Sequence, residues 1–225
     1  RHGNPVAFKW GYDQSLPVAS IQNGTTSQDE IGVTHYSGFE SGEESLQNPN
    51  EDFWYFNNAN EHSWDAHTGE QSRKVYAFNS EYRDIVPTDQ HGIYLASCWM
   101  KTENGFESNS SALRILVNQS YVISVPNTPS NKWQYLEARL DLDKIRTDFS
   151  IPQNQQITFR ILPYNQSISG KYLLVDDIRC HPWETMMKTY TYDPTVGMTS
   201  LESEAQTTGY FEYDPMNRLK NLLDH

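Results

Sequence analysis

The sequence is short of basic residues, of cysteine and of long apolar runs. Lys and Arg total 17 against 29 Asp and Glu, a net charge of −12. A polyanionic partner needs a basic patch to neutralise phosphates, so nucleic acid is a poor match. The deficit is local as well. Between Trp10 and Ser72 there is no Lys or Arg, whereas 11 carboxylates fall there: Asp13, Asp29, Glu30, Glu40, Glu43, Glu44, Glu51, Asp52, Glu61, Asp65 and Glu70. Such oxygens either form a solvated acidic surface or surround a hard cation, since Ca²⁺ takes about six to eight oxygen ligands. The longest near-apolar run is about seven residues, Tyr94–Met100, where a membrane-crossing helix needs about 20. Two cysteines, Cys98 and Cys180, leave a disulfide and two free thiols equally open, and two alone make no metal site.

Catalytic signatures are also missing. There is no HExxH, no GxSxG and no glycine-rich phosphate loop. His2, His35, His62, His67, His91, His181 and His225 are scattered and form no ligand pair at helical spacing. Carboxylates are so abundant that a hydrolytic pair chosen from sequence carries no weight without geometry. The expectation is a chain that is not an enzyme. It opens at Arg1-His2-Gly3 with no initiator Met or signal peptide, and reads as a segment of a longer protein.

What the chain has is aromatic rings: 14 Tyr, 9 Phe and 6 Trp. These make up for a low aliphatic content and predict a thin, ring-rich core. Period-2 runs bounded by Gly, Pro and Asn predict strands over 73–80, 92–101, 112–117, 119–125, 133–142, 156–163 and 171–180. In 92–101, Ile93, Leu95, Ser97 and Trp99 share one face, and Tyr94, Ala96, Cys98 and Met100 the other. A short helix fits 133–142 as well. Asn104-Gly105 is a hairpin signal, and Ser169-Gly170 turns the chain between the last two strands. No long 3.6-residue apolar stripe is present, so the fold class is all-β, an antiparallel β-sandwich.

The ends differ from the middle. Both are turn-rich and carry Tyr-Asp pairs at Tyr12-Asp13, Tyr192-Asp193 and Tyr213-Asp214, the last two followed by Pro194 and Pro215. The run Tyr213-Asp214-Pro215-Met216-Asn217-Arg218-Leu219 resembles the YD repeat of the Rhs family. Asn217 stands where that family usually has Gly, and Asn is the next best residue for a left-handed turn. Tyr190–Ser200, Gly3-Asn4-Pro5-Val6 and Trp10-Gly11-Tyr12 with Pro17-Val18-Ala19 resemble Rhs-type proteins of Bacteroidetes. The expected organisation is an Rhs/YD-repeat flank at 1–30, an inserted domain at 31–183 and a second flank at 184–225. The flanks should pack on each other or on the sandwich.

The inserted domain resembles jelly-roll carbohydrate-binding modules of the galactose-binding-like class. The resemblance rests on Gly38-Phe39-Glu40, on the turn His67-Thr68-Gly69-Glu70-Gln71-Ser72, on Tyr94…Ser97-Cys98-Trp99-Met100-Lys101 and on Leu174-Val175-Asp176-Asp177-Ile178. It implies a jelly roll with a structural calcium held by the carboxylates of Glu40 and Asp176 and the backbone carbonyls of Gly38, His67 and Glu70. On a regular strand Asp176 and Asp177 face opposite sides, with Asp177 beside Arg179 and Asp176 beside Leu174 and Ile178. A cation is one way to pair an inward carboxylate. A sugar platform needs exposed flat rings beside polar groups. Trp54, Tyr55 and Trp64, interleaved with Asn57, Asn58, Asn60 and Glu61, supply that mixture, although loop-packing rings fit the same pattern. Trp99 reads as core, and Trp133 and Trp183 sit at strand boundaries.

The resemblances imply a non-catalytic binding module of a secreted or cell-surface protein. Its partners would be a glycan or cell-surface ligand and the rest of the Rhs-type parent. The alternative is a purely structural spacer or docking domain with no ligand.

Overall fold

The computed structural model describes residues 6–12, 14–22, 34–40, 61–77, 83–166, 170–203 and 207–224. These form an all-β fold of three antiparallel sheets and one short helix. Two sheets make the sandwich. The first holds β3 (His35–Ser37), β4 (His62–Ser63), β5 (Ser72–Tyr76), β7 (Ile93–Thr102), β10 (Gln134–Asp141) and β12 (Tyr172–Pro182). Its order is β10-β7-β12-β5-β4, with β3 pairing the far end of β12. The second holds β6 (Arg83–Ile85), β8 (Ser111–Val117), β9 (Tyr121–Pro126) and β11 (Phe159–Asn165) in the order β6-β11-β8-β9.

The alternation in β7 has the predicted sense. Tyr94, Ala96, Cys98 and Met100 join Leu113, Ile115, Phe159 and Ile161 of the opposite sheet in one core, with Tyr94 and Phe159 edge to face. Cys98 and Cys180 are both free and fully buried thiols. The strand over 134–141 ends in a helix, α1 (Leu142–Phe149), which seats Leu142 and Ile145 on the core. Asp141 caps it by accepting a bond from the Lys144 amide at 3.0 Å. Asn104-Gly105 does not close a hairpin. Gly105 has φ +81, but the turn carries the chain from β7 in one sheet to β8 in the other. Likewise β11 and β12 lie in different sheets.

β12 departs from regular pairing between Asp176 and Arg179. Asp177 adopts φ +48, so the strand carries an extra residue there. Leu173 and Val175 face the core before the bulge, and Ile178 and Cys180 face it after. Strict alternation would have placed 173, 175, 177 and 179 on one side. The expectations that Asp176 and Asp177 face opposite sides and that Asp176 shares a face with Ile178 are therefore corrected: Asp176 stands opposite Trp99 on the outer face, Ile178 is in the core, and Asp177 stays on the side of Arg179.

The third sheet is built from both ends of the chain. Its strands are β1 (Val6–Gly11), β2 (Leu16–Gln22), β13 (Met186–Asp193), β14 (Gly197–Glu202), β15 (Thr208–Tyr213) and β16 (Leu219–Asp224), in the order β1-β2-β13-β14-β15-β16. Hairpins β13–β14 and β15–β16 are equivalent. Each has a register shift immediately before its Tyr, at Thr191/Tyr192 and Glu212/Tyr213. In each, the following Asp accepts from the amide two residues on, Thr195 or Met216, at 2.8 Å. Asn217 takes the left-handed conformation at φ +57. Tyr213 lies over Gly197 of the preceding hairpin and donates to the Met198 carbonyl at 2.8 Å. Tyr12 meets Tyr192 edge to face and accepts from the Tyr192 amide at 2.9 Å.

The terminal sheet packs on the outer face of the first sandwich sheet. Val18, Ala19, Ile21 and Met187 form a small core with Tyr36 of β3.

Candidate functional site

Strand register writes the outer face of β10, β7 and β12. Tyr135 stands opposite Trp99, and Trp99 opposite Asp176. Glu137 stands opposite Ser97, and Ser97 opposite Arg179. Arg139 stands opposite Leu95, and Leu95 opposite His181. Because core residues alternate with these, the rings and charges of all three strands are gathered on one side.

At one end of this face lies a cleft of about 250 Å³. Its floor is Leu95, Tyr135, Glu137, Arg179 and His181, and its wall is Trp183 with Thr185, Met186 and Met187. Trp183 is 47% exposed, with the Arg139 guanidinium 4.7 Å from its ring centre. Tyr135 donates to Glu137 at 3.1 Å. Burial pushes the Tyr135 phenol far up and the His181 imidazole down to about 4, so both are neutral near pH 7.

At the other end, roughly 20 Å away at about 3.3 Å per residue from Leu95 to Lys101, is a more open cleft of about 430 Å³. It is lined by Asp65, Lys101, Glu103, Asn104, Asn131 and Tyr172, among others. Lys101 pairs with Asp65 at 2.6 Å. Trp64, beside Asp65 in sequence, is 78% exposed. Trp54 and Tyr55 lie outside the described residues.

Between the clefts the terminal sheet touches the face. Glu202 of β14 forms an ion pair with Arg179 and accepts from the Trp99 indole at 3.0 Å. Trp99, expected in the core, is half-buried on the outer face and stacks on His67 at 3.7 Å between ring centres. Tyr210 donates to the His67 carbonyl at 2.8 Å.

The residues of the calcium expectation meet beneath this contact. Asp176 Oδ2 accepts from the amides of His67 and Thr68 at 2.8 and 3.2 Å, and its Oδ1 from the Asp177 amide at 2.8 Å. Glu40 Oε1 accepts from the amides of Glu70 and Gln71 at 2.9 and 3.1 Å. The bulge brings Asp177 to the same turn, where it binds Thr68 Oγ1, Tyr36 Oη and His67 Nδ1. Burial, then the charges of Asp177 and Glu40, hold the Asp176 carboxyl well above the usual range. Burial also acts to raise Asp177, but the hydrogen bond and charge of His67, with Arg179 and Tyr36, outweigh it and hold that group low. Among the described residues, no three His, Cys, Asp or Glu groups converge as metal ligands. Of the named carbonyls, that of His67 is engaged by Tyr210.

Sequence reasoning found Glu40, His67 and Asp176 as neighbours but missed Tyr135, Glu137, Arg179 and Glu202. The alternation of 133–142 placed Tyr135 and Glu137 on one face and was the available signal. The pairing of Arg179 with Glu202 crosses two sheets and has no local signature.

No helix among the described residues is long and apolar enough to cross a membrane. No protein-family model matches the chain, and no curated protein matches it. Among solved structures, the chain is similar to the CBM22-1 xylan-binding domain of Xyn10C from Paenibacillus barcinonensis. The two are 12% identical, with a TM-score of 0.38 over 81% of this chain and 97% of that one. It is also similar to TmCBM61 in complex with β-1,4-galactotriose, at 15% identity and TM-score 0.34 over 68% of this chain and 90% of that one. A C-terminal family 22 carbohydrate-binding module of Clostridium thermocellum Xyn10B is 14% identical, with TM-score 0.35 over 55% of this chain and 80% of that one.

Proposed function

We propose that the chain is a non-catalytic glycan-binding module of a secreted or cell-surface protein of the Rhs/YD-repeat type. The observation that carries the reading is the cleft of Tyr135, Glu137, Arg179, His181 and Trp183. A pyranose presents an apolar face that stacks on rings and hydroxyls that need polar partners. Trp183 and Tyr135 supply the rings, and Glu137, Arg179 and Thr185 the partners. Glu137 is the single carboxylate among the described residues lining this cleft, so the pair of acids that glycoside hydrolysis uses is not assembled there. The equivalence of the two Tyr-Asp hairpins supports the Rhs/YD context.

Trp64, exposed and next in sequence to Asp65 of the larger cleft, keeps Trp54, Tyr55 and Trp64 as a second proposed platform. A structural calcium at Glu40 and Asp176, with carbonyls of Gly38, His67 and Glu70, is part of the same proposal. Its support is charge. Glu40 and Asp176 are both buried, the Glu40 charge acts on Asp176, and a hard cation takes carboxylate and carbonyl oxygens. The ion would tie the residues after β3 to the turn and to β12.

Affinity electrophoresis through gels containing soluble polysaccharides tests the reading. Retardation should be abolished by Tyr135→Ala or Trp183→Ala. If no polysaccharide retards the protein, the spacer role replaces it.

A further inference from the structure

The proposed cleft contains a cation whose charge is already taken. Arg179 is paired with Glu202, and the two side chains are only 4% and 0% exposed. The second Glu202 oxygen holds the Trp99 indole. The Asp177 carboxylate also acts on the guanidinium, which lies 5.8 Å from the Tyr36 ring centre. Arg179 Nε is buried with no hydrogen-bond partner, so the group keeps donor capacity without a net charge to offer. The other charged side chains at the cleft are Glu137, an acceptor that lines it, and Arg139, whose guanidinium lies over Trp183; they share one face of β10 with opposite signs and offset each other.

A buried ion pair is a weak source of stability, since apolar side chains of the same size commonly hold an interface as well. This pair instead sets the electrostatics of the cleft beside it. We infer that Glu202 is a specificity-determining residue. By cancelling Arg179 from the terminal sheet, it makes the cleft select neutral glycans over acidic ones. The inference rests on the glycan reading of the cleft. It makes the terminal sheet part of the binding site, because β13 supplies Met186 and Met187 to the wall and β14 supplies Glu202.

The test is affinity electrophoresis on neutral xylan, neutral galactan and acidic polygalacturonate, with wild type, Glu202→Gln and Tyr135→Ala. Gln keeps the shape and can still accept from Trp99 while removing the charge. The wild type should be retarded by a neutral polymer and not by polygalacturonate. Glu202→Gln should gain about tenfold in affinity for polygalacturonate, because removing one negative charge makes the cleft one unit more positive. Should Gln not fold, Glu202→Met is read the same way. Retardation of the wild type by polygalacturonate overturns the inference. So does an unchanged Glu202→Gln profile, and in that case loss of neutral binding in Tyr135→Ala leaves the glycan reading standing. If none of the three polymers retards the wild type, both fall.

Discussion

A Cβ placed on Gly69 would lie 2.0 Å from Oε1 of Glu40. The same glycine has φ +64, a conformation that a side chain strains. Glu40 thus reaches the Glu70 and Gln71 amides through space that only glycine leaves open. Gly69→Ala should cost about 2–4 kcal/mol, from left-handed strain and displaced charge-assisted bonds. Urea denaturation measures it, and a loss below about 0.5 kcal/mol would contradict the account.

Chelation tests the proposed calcium. EDTA should lower the melting temperature by several degrees, restored by adding Ca²⁺. An identical melt with and without chelator would mean that the amides of His67, Thr68, Glu70 and Gln71 suffice to hold the two carboxylates.

Stability should fall with acid through His181. Burial first, opposed by the Pro182 carbonyl and aided by Arg179, lowers its pKa to about 4. The unfolded chain then binds the extra proton first, so stability is full above the unfolded value of ~6.5 and is lost as pH falls towards the folded value. Between pH 7 and 5 the loss attributable to this group is about 2 kcal/mol. Asp176, with its raised pKa, acts with the opposite sign, gaining stability as pH falls. His181→Leu isolates the histidine, and its denaturation curves at the two pH values should differ by less than those of the wild type.

Two ring platforms can be separated by mutation. Trp183→Ala should abolish retention on a glycan matrix, while Trp64→Ala leaves it within about twofold if the smaller cleft is the main site. The reverse result would move the site to the larger cleft.

Strands such as β7 were legible because they are straight and face the core on one side, so alternation alone orders Tyr94 through Met100. The same rule failed at Asp176 and Asp177. A single left-handed residue resets the phase, and Asp tolerates that conformation without announcing it. Asn104-Gly105 specified a tight turn but not which strands it joins, because turn chemistry is local and sheet membership is not. Helix α1 escaped notice because its eight residues follow a strand without a break. The Tyr-Asp turns were readable, since their Asp bonds lie within a few residues. Glu202 was not, because its meaning comes from Arg179 and Trp99 across the sheet boundary.

Removing one residue from the bulge in β12 would turn the rest of that strand over. Ile178 and Cys180 would then face the terminal sheet, and Arg179 and His181 would be driven into the sandwich interior. The recognition surface and the hydrophobic interior thus share one phase offset. A lineage in which this strand had lost it would be expected to lose cleft and fold together.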